Sequence, residues 1–470
     1  MNELTFLSAA RMAELICRRE ISPVELVRVH IERAEAVQPQ LNAFVTLDAE
    51  QGLNAGRAAE AALAGDAPLG ALHGVPLTIK SAIDVQGLVC AAGSALRRGH
   101  VPRQDAPLVA RLRAAGAIIL GNTNVPEFLM AYETNNVLYG PTRNPWDVSR
   151  TAGGSSGGEA AAIASGCSAG GVGSDGGGSI RVPAHFCGIC GLKPTPGRIP
   201  MTGHFPPGGG AFSWIGVVGP MARTVGDLRL LFEGVAGPDP GDPLSAPAPV
   251  RHPQEEDLRR LRIGLLESDA LGRPTAETAA VLRRAARTLE EQGLAVECLR
   301  LEGLSQALEL WQFFFVRAIG CLLREATAGE ESRLSPMLRE YLDVSAQAPP
   351  ITLDEFMGAC VERDACRAYI LRQMENSPIL LSPVSAAPAF LHGQGTWCAE
   401  RGFAPYQETM RHSQWVNLAG LPAAVIPVGS SPESLPIGVQ VIGRAYDDEL
   451  VLAVAECIER ACGGSRPAPI

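Results

Sequence analysis

The chain has 470 residues, which is enough for one large α/β domain or for two to three ordinary ones. Hydrophobic residues make up 46% and charged residues 19%, a composition that excludes a disordered chain. The formal net charge is −10 and no basic stripe stands out, so we predict no nucleic-acid partner.

The composition of the N-terminal segment and the number of cysteines indicate in which cellular compartment the protein is expected. Met1–Glu20 mixes apolar with charged residues and lacks the continuous apolar core of a signal peptide. The chain also lacks a run of about 18 apolar residues, so we expect no membrane-spanning helix and no membrane partner. The 12 cysteines are therefore expected to be reduced thiols in a cytoplasmic protein. Cys187 and Cys190 have no second pair at zinc-ribbon spacing, which favours packing over a redox or metal site. We predict no metal and no cofactor.

The first 65 residues are predicted to be helical, and the pattern then changes to strands. Apolar residues recur at three- and four-residue spacing in Ser8–Arg19, Ser22–Val37 and Asp48–Leu63. Two short apolar runs bounded by glycine follow, with a helical pattern between them: Val75–Ile79, Ala106–Ala115 and Ala117–Leu120. This order of strand, helix and strand predicts an α/β layer with a largely buried sheet.

The second half of the chain continues the same alternation. The predicted strands are Ile263–Leu266, Ala295–Leu299, Ile379–Leu381, Ala423–Val428 and Val439–Ile442. The predicted helices are Thr275–Gln292, Leu304–Ala326, Leu353–Met374 and Asp447–Cys462. The proline-rich stretch Pro238–Pro253 has strand signals on both sides, so we predict a long surface loop rather than a linker between domains.

A glycine-rich tract holds two serines that are candidates for chemistry, Ser155 and Ser179. It reads Thr151-Ala-Gly-Gly-Ser-Ser-Gly-Gly-Glu159 and, further on, Gly173-Ser-Asp-Gly-Gly-Gly-Ser-Ile-Arg181. Upstream, the apolar run from Val75 ends in Lys80. A serine needs a base to become a nucleophile. A lysine that an apolar strand buries is a candidate base, because burial favours its neutral form.

A dinucleotide site is one alternative for this tract, because Gly171–Gly176 matches the pattern GxGxxG. That fingerprint also needs an acidic residue about 20 positions later for the ribose hydroxyls. Between Asp175 and Asp227 there is no Asp or Glu at all. The match is therefore interpreted as a by-product of glycine richness.

A serine hydrolase with a nucleophile elbow is a second alternative, because Gly154–Gly158 matches GxSxG. That motif follows an apolar strand and opens a helix. The alanine-rich segment after Glu159 suits a helix, but the stretch from Asn144 to Ala152 is a poor strand. His185 also lies too close in sequence for the usual order of nucleophile, acid and base.

The third interpretation uses both serines and the lysine. Three glycines follow Asp175, and their backbone can fold tightly with its N–H groups turned inward as an oxyanion hole next to Ser179. Glycine suits these positions because a side chain would block the substrate or forbid the backbone angles. Ser155 can connect Lys80 to Ser179 by hydrogen bonds and so relay a proton.

Several longer motifs, in this order, carry a resemblance to a known family. They are His73-Gly-Val-Pro-Leu-Thr-Ile-Lys80-Ser, Gly121-Asn-Thr-Asn124 with Glu127, Gly153–Gly158, Gly173–Arg181, Phe186-Cys-Gly-Ile-Cys-Gly-Leu-Lys-Pro-Thr195, Asn417-Leu-Ala-Gly-Leu-Pro422 and Leu435-Pro-Ile-Gly-Val-Gln440. With these motifs the chain resembles the amidase signature enzymes over most of its length.

The resemblance implies a serine amidohydrolase. By the family's pattern, Ser179 is the acyl-accepting nucleophile, Ser155 is the relay serine held by a cis peptide after glycine, and Lys80 is the general base. The oxyanion hole is implied to be the backbone N–H groups of Gly176, Gly177, Gly178 and Ser179. The implied fold class is α/β, a central twisted mixed sheet with helices on both faces. The resemblance further implies one amidase domain over residues 1–470. We expect its residues 1–65 to form an N-terminal helical segment and the helical region at about 300–375 to cap the site.

The chain departs from the family at Gly176, where a larger residue such as threonine or isoleucine is usual. This change predicts either a looser oxyanion loop or more space beside the acyl group. Asp175 and Arg181 suit an ion pair that braces the loop. Ser156 is expected to make loop hydrogen bonds rather than to take part in chemistry.

The implied reaction is the cleavage of C–N bonds in small aryl or alkyl amides. Esters and carbamates (urethanes) are further candidate substrates, because the first attack on their carbonyl carbon is the same. Met130, Tyr132, Trp214, Phe314 and Trp397 are candidates for an apolar substrate pocket, although core packing explains each nearly as well. The sequence leaves the oligomeric state open, including a homodimer.

A rival function within the resemblance is the glutamine-hydrolysing component of a tRNA-dependent amidotransferase. That component usually carries an Arg-Arg-Ile…Leu-Gly-Thr stretch, and the corresponding region here, Ala359–Ser377, shows nothing similar. A catalytically silent binding protein is disfavoured by the presence of Lys80, Ser155 and Ser179 together.

Overall fold

Short strands and amphipathic helices alternate along the chain, as the apolar pattern predicts. The computed structural model describes residues 3–65, 68–266, 269–394 and 404–470. The strands are β1 Phe44–Leu47, β2 Pro76–Lys80, β3 Ile118–Thr123, β4 Arg143–Asn144, β5 Asp147–Thr151, β6 Gly170–Asp175, β7 Cys190–Lys193, β8 Val217–Ala222, β9 Arg262–Leu266, β10 Ala295–Leu299, β11 Ile379–Pro383, β12 Ala423–Ser430 and β13 Pro436–Gly443.

The helices connect these strands in most of the crossovers. They are α1 Ala9–Cys17, α2 Pro23–Leu41, α3 Ala49–Ala62, α4 Pro107–Ala114, α5 Gly157–Ala164, α6 Arg181–Cys187, α7 Phe212–Ile215, α8 Val225–Val235, α9 Glu255–Arg259, α10 Ala276–Glu291, α11 Leu304–Gln312, α12 Ile319–Ala326, α13 Pro336–Ala346, α14 Leu353–Gln373, α15 Ala404–Leu418 and α16 Asp448–Cys462. Polar side chains cap several of them, as when Ser22 accepts backbone N–H groups at the start of α2.

Eleven of the described strands form one mixed sheet in the order β1-β3-β2-β6-β8-β7-β12-β13-β11-β9-β10. The groups β3-β2-β6 and β11-β9-β10 are parallel, and the other neighbouring pairs are antiparallel. Strands β4 and β5 form a separate two-stranded sheet. The mixed α/β sheet implied by the sequence is confirmed.

Helices cover both faces of the large sheet. Successive residues of a strand point to opposite faces, and β11 illustrates this. Ile379 and Leu381 pack in one hydrophobic core together with α8, α10 and α16. Leu380, between them, packs in a second core with α11, α14 and α15. The connecting helices therefore lie on both faces of the sheet, and each face has its own hydrophobic core.

Three segments differ from the sequence predictions or add to them. The first 65 residues contain the strand β1 as well as helices, because Phe44–Leu47 adds to the edge of the sheet beside β3. The long helix predicted over Leu304–Ala326 is interrupted by a π-helical segment, Phe313–Ala318. The stretch from Pro238 to Pro253 contains no helix or strand, and β8 and β9 of the same sheet lie on either side of it in sequence.

The segment Leu304–Ala326 is the one described stretch whose length and hydropathy would suit a membrane-spanning helix. In its most apolar 18-residue window, 56% of the residues are buried inside the fold. Core helices of soluble proteins have the same properties, so this segment is weak support for a membrane anchor.

Candidate active site

Lys80 is the last residue of β2, and its side chain is fully buried. Because β2 and β6 are parallel neighbours, their carboxyl ends and the loop after β6 meet at one edge of the sheet. The Lys80 Nζ atom lies 2.7 Å from Ser155 Oγ, 2.9 Å from Ser156 Oγ and 3.0 Å from Ser174 Oγ. Three hydroxyl groups therefore surround the amine.

Ser155 stands at the turn that leads into α5. The peptide bond between Gly154 and Ser155 is cis, as the resemblance implied. The Ser156 N–H donates to the Ser179 carbonyl oxygen at 3.1 Å, which ties this turn to the loop after β6. The Ser156 hydroxyl also lies 3.3 Å from the Ser174 carbonyl oxygen, a loop hydrogen bond of the kind predicted.

The relay predicted from the sequence has its first link in place, from Lys80 to Ser155. Ser155 and Ser179 line the same small cavity. Within the described part of the chain, the hydroxyls of Ser155 and Ser179 do not form a hydrogen bond. Such links are often long before substrate binds and become shorter in the reacting complex.

The loop Gly176–Ser179 is held from behind by two aromatic side chains. Trp311 Nε1 donates to the Gly176 carbonyl oxygen at 2.9 Å, and the Tyr132 hydroxyl donates to the Gly177 carbonyl oxygen at 2.7 Å. Because C=O and N–H of one trans peptide point in opposite directions, the Gly177 N–H is turned away from Trp311. The carbonyl groups of Gly176 and Gly177 are therefore both held by buried aromatic side chains.

One predicted oxyanion donor is already used inside the protein. The Gly178 N–H donates to Asp175 Oδ1 at 2.7 Å, so the sequence prediction for this residue needs correction. Asp175 is the last residue of β6, and its carboxylate accepts N–H groups of the turn that follows, as side-chain oxygens do at helix starts. The N–H groups of Gly176, Gly177 and Ser179 stay as candidates.

Glycine is required in this loop because neighbours approach its backbone closely. A Cβ on Gly177 would lie 2.5 Å from Trp311, and one on Gly178 would lie 2.9 Å from Ser413. Gly178 also has a φ of +125°, which L side chains rarely adopt. At Gly176 a Cβ would meet Phe315 at 2.9 Å, so the space that the missing side chain leaves is filled by an aromatic ring.

Asp175 and Arg181 form the predicted ion pair, and both side chains are fully buried. Arg181 Nε lies 3.1 Å from Asp175 Oδ2, and a terminal nitrogen lies 3.0 Å from Oδ1. Arg181 also donates to Gln440 Oε1, to the Ser413 carbonyl oxygen and to Asn417. Burial acts to raise the pKa of Asp175, but the Arg181 guanidinium outweighs it and holds that pKa well below its usual value.

Two buried titratable groups lie on the same face of β2. Burial lowers the pKa of Lys80 to about 7, although the carboxylates of Asp175 and Glu159 act in the opposite direction. Burial raises the pKa of Glu159 to about 7, although its hydrogen bonds from Thr78 and Thr123 and the charge of Lys80 act against this. The amine is therefore partly neutral near pH 7, which a base requires.

The cavity beside Ser179 is small. It measures about 10 Å³, room for about one water molecule. Its walls are Leu129, Met130, Ser155, Ser174, Asp175, Gly176, Ser179, Pro206, Phe212, Val217 and Phe315. The apolar side chains in these walls surround the position that an acyl group would take beside Ser179.

The predicted substrate contacts have different positions. Met130 lines the cavity. Tyr132 is buried behind the glycine loop, where it supports Gly177 rather than facing the cavity. Trp214 and Phe314 pack against each other with ring centres 5.7 Å apart, and neither lines the cavity. Trp397 lies outside the described residues.

Several residues at the site were not predicted from the sequence. Ser174 contacts Lys80, Phe212 covers the cavity, and Glu159 shares the buried face with Lys80. Ser174 and Asp175 are the polar residues that end the otherwise small, apolar strand β6, and this position at the end of a buried strand is the signal for Ser174. Among the described residues, no group of three or more His, Cys, Asp or Glu is arranged to hold a metal ion.

Comparisons with known proteins all point to one family of proteins. A family model described as Amidase matches residues 25–452. The chain is 35% identical to an indoleacetamide hydrolase of Bradyrhizobium diazoefficiens, over 97% of this chain and 86% of the relative. It is also 35% identical to a glutamyl-tRNA(Gln) amidotransferase subunit of Moorella thermoacetica, over 99% of both chains.

Solved structures share the whole architecture. The structure of a 6-aminohexanoate cyclic dimer hydrolase complexed with substrate superimposes with a TM-score of 0.86, at 28% identity and over 99% of both chains. The likeness therefore extends from the first helices to the last one.

Proposed function

The chain belongs to the amidase family and is an amidohydrolase, and from this premise we propose that it hydrolyses small amides through an acyl-enzyme on Ser179. The observation that carries the proposal is the buried contact of Lys80 Nζ with Ser155 Oγ, 2.7 Å long, at the cavity that Ser179 also lines. An amine that is partly neutral at pH 7 can accept a proton through a neighbouring hydroxyl.

In the first half of the reaction, Ser179 Oγ attacks the carbonyl carbon of the amide. Its proton passes to Ser155 Oγ, while the Ser155 proton passes to the neutral Nζ of Lys80. The carbonyl oxygen gains the negative charge and accepts hydrogen bonds from N–H groups of the glycine loop. The C–N bond then breaks as Lys80 returns a proton, through Ser155, to the leaving nitrogen.

In the second half, water attacks the acyl ester on Ser179. Its proton follows the same route to Lys80, and the proton then returns to Ser179 Oγ as the acid leaves. The balance is one amide and one water converted to one carboxylic acid and one amine. An ester or a carbamate would react by the same first attack.

Phe315 limits the size of the acyl group. Its ring stacks on Trp311 with centroids 4.7 Å apart, and it covers Gly176 at the cavity. The π-helical segment that carries it, Phe313–Ala318, belongs to the helical region that we propose as the cap of the site. π-Helical turns are frequent at functional sites.

We expect Phe315→Ala to shift selectivity towards bulkier acyl groups by about tenfold or more, measured as the ratio of kcat/KM for a phenylacetyl and an acetyl anilide. The matched control is Phe313→Ala, the same substitution two residues away at a ring that does not line the cavity. An unchanged ratio in the Phe315 variant, or an equal shift in the control, would contradict this assignment.

The acid limb of the pH profile of kcat/KM is expected near pH 7, because the ammonium form of Lys80 cannot accept a proton. The Glu159 carboxylate favours that ammonium form, so Glu159→Gln should lower the pKa of Lys80 and move the limb to lower pH. Asp227→Asn removes another buried carboxylate, one not acting on Lys80, and should leave the limb in place. A limb that stays at the wild-type pH in Glu159→Gln would refute the coupling.

The proposed function is tested with a panel of anilides, esters, carbamates and primary amides. The panel includes indole-3-acetamide, because one relative is an indoleacetamide hydrolase. A serine-directed fluorophosphonate should block turnover and label Ser179, located by mass spectrometry of the digested protein. Turnover without labelling at Ser179 would count against the acyl-enzyme.

A second candidate function is glutamine hydrolysis within a tRNA-dependent amidotransferase. Its support is the 35% identity to the amidotransferase component of Moorella thermoacetica over nearly the full length of both chains. Strict use of glutamine and co-purification of partner proteins would favour this function. Turnover of anilides by the isolated chain would favour the free-standing hydrolase, which we propose to be cytoplasmic and to act on small molecules.

A further inference from the structure

A cleft of about 610 Å³ lies at the carboxyl ends of β9, β10 and β11. These strands are parallel neighbours at the edge of the sheet opposite to β1. The last residues of β9 and β11, Leu266 and Pro383, line the cleft, together with Leu301, two residues after the end of β10. The volume is within the range of small-molecule sites. None of its lining residues belongs to the cavity beside Ser179.

The first α-helices that follow the neighbouring strands β9 and β11 lie on opposite faces of the sheet. After β9 the chain passes the short 3-10 turn Asp269–Leu271, whose Leu271 packs in the second core, and then enters α10, whose Leu282 packs in the first core. After β11 it continues towards α15, whose Trp415 packs in the second core, on the other face. In open α/β sheets, ligands bind in the crevice that forms where such connections diverge.

Three arginines surround the cleft, Arg273, Arg283 and Arg300. They belong to the loop before α10, to α10 itself and to the residue after β10. In the ranges that the structure describes, none of their guanidiniums forms a hydrogen bond or an ion pair. The N-terminus of the 16-residue helix α10 lies beside them and adds to the positive potential.

A buried histidine contributes an unused polar group. His412 of α15 lines the cleft, and only 4% of it is exposed. A weak hydrogen bond with the Gly272 backbone leaves at least one ring nitrogen without a partner among the described residues. Burial lowers the pKa of His412 to about 4, although this bond acts in the opposite direction. The ring is thus neutral at pH 7 and offers one donor and one acceptor. Buried polar groups normally have partners, so this one points to a ligand.

We propose that this cleft binds a small organic phosphate ester. Guanidinium groups match phosphate oxygens in charge and geometry. The leucines of the floor, Leu265, Leu282 and Leu301, would contact the apolar body of the ligand. This proposal is independent of the reaction at Ser179.

Cys298 provides a test in the unmodified protein, because it is exposed and lines the cleft. Its alkylation by N-ethylmaleimide is followed by mass spectrometry, with the exposed Cys17 of α1 as an internal control. Phenyl phosphate should slow alkylation at Cys298 in a saturable way and leave Cys17 unchanged. Benzyl alcohol should give no protection, and inorganic phosphate and phenylacetate should protect only at higher concentration. Absence of protection by phenyl phosphate, or equal slowing at both cysteines, would overturn the proposal.

Charge variants test the arginines separately. Arg273→Gln, Arg283→Gln and Arg300→Gln should each weaken phenyl phosphate binding about tenfold, measured by calorimetry. Arg287→Gln removes the same charge from α10 outside the cleft and should bind as the wild type does. Unchanged affinity in all three cleft variants, or an equal loss in Arg287→Gln, would contradict a defined site. If one of these variants fails to fold, the Cys298 protection measurement on the unmodified protein decides the question for that arginine's cleft.

Discussion

Replacing Ser179 by alanine is expected to lower kcat/KM by about 10⁴-fold or more, which is the usual size of the effect when a serine nucleophile is removed. The change removes one hydroxyl from a loop that Trp311, Tyr132 and Asp175 hold through backbone atoms. The loop geometry therefore survives, and the melting temperature should stay within a few degrees of the wild type. The decisive measurements are turnover of the best chromogenic amide and covalent labelling by a fluorophosphonate.

Ser165→Ala is the matched control for this prediction. Ser165 is also buried, and its hydroxyl donates to the Ala161 carbonyl oxygen within the end of α5, away from the cavity. This variant should retain activity and labelling. Turnover by Ser179→Ala at more than a few per cent of the wild-type rate would rule out Ser179 as the nucleophile.

Lys80→Met should reduce turnover to a similar extent, because no base would then receive the Ser179 proton through Ser155. The substitution keeps most of the side-chain volume and removes a buried amine, so the fold should keep its stability. Ser155, Ser156 and Ser174 can still bond to one another around the thioether. Lys80→Ala should lose activity equally, at a larger cost in stability because it leaves a cavity.

The chain offers an unusually close control in Lys193, a second fully buried lysine whose pKa burial lowers to about 7. Its Nζ donates to the Pro194 carbonyl oxygen at 3.0 Å and does not line the cavity. Lys193→Met should remain active within about tenfold, whereas Lys80→Met should not. Equal losses in both variants would mean that removal of any buried amine disturbs the fold, and the role of Lys80 as base would lose its support.

Apolar periodicity predicted most helices and many strands to within a few residues. Leu353–Gln373 and Asp448–Cys462 are long amphipathic segments whose pattern repeats over several turns. Strand β6 was not predicted, because three of its six residues are glycine and its strand form depends on pairing with β2 and β8. The π-helical turn at Phe313–Ala318 also has no signature in apolar spacing.

The glycine tract and Lys80 were predicted to form one site, and the structure places Lys80 in contact with Ser155 at the cavity that Ser179 also lines. Side-chain directions could not be derived in the same way. The sequence predicted Phe314 as a substrate contact, while Phe315 lines the cavity and Phe314 lies in the core. Along a helical segment a shift of one residue changes the face by about 100°. The hydrogen bond from the Gly178 N–H to Asp175 depends on the backbone conformation of the turn, which the spacing of residues in the sequence does not predict.

The buried brace at Arg181 also determines when activity can arise during synthesis of the chain. The proposed catalytic side chains have all been made once Ser179 has been added. The acceptors of Arg181 at Ser413 and Gln440 follow 232 and 259 positions later. Until they arrive, the guanidinium that fixes the glycine loop lacks these contacts. A nascent or truncated chain without its last 70 or so residues should therefore be inert, although it carries every group that the reaction uses.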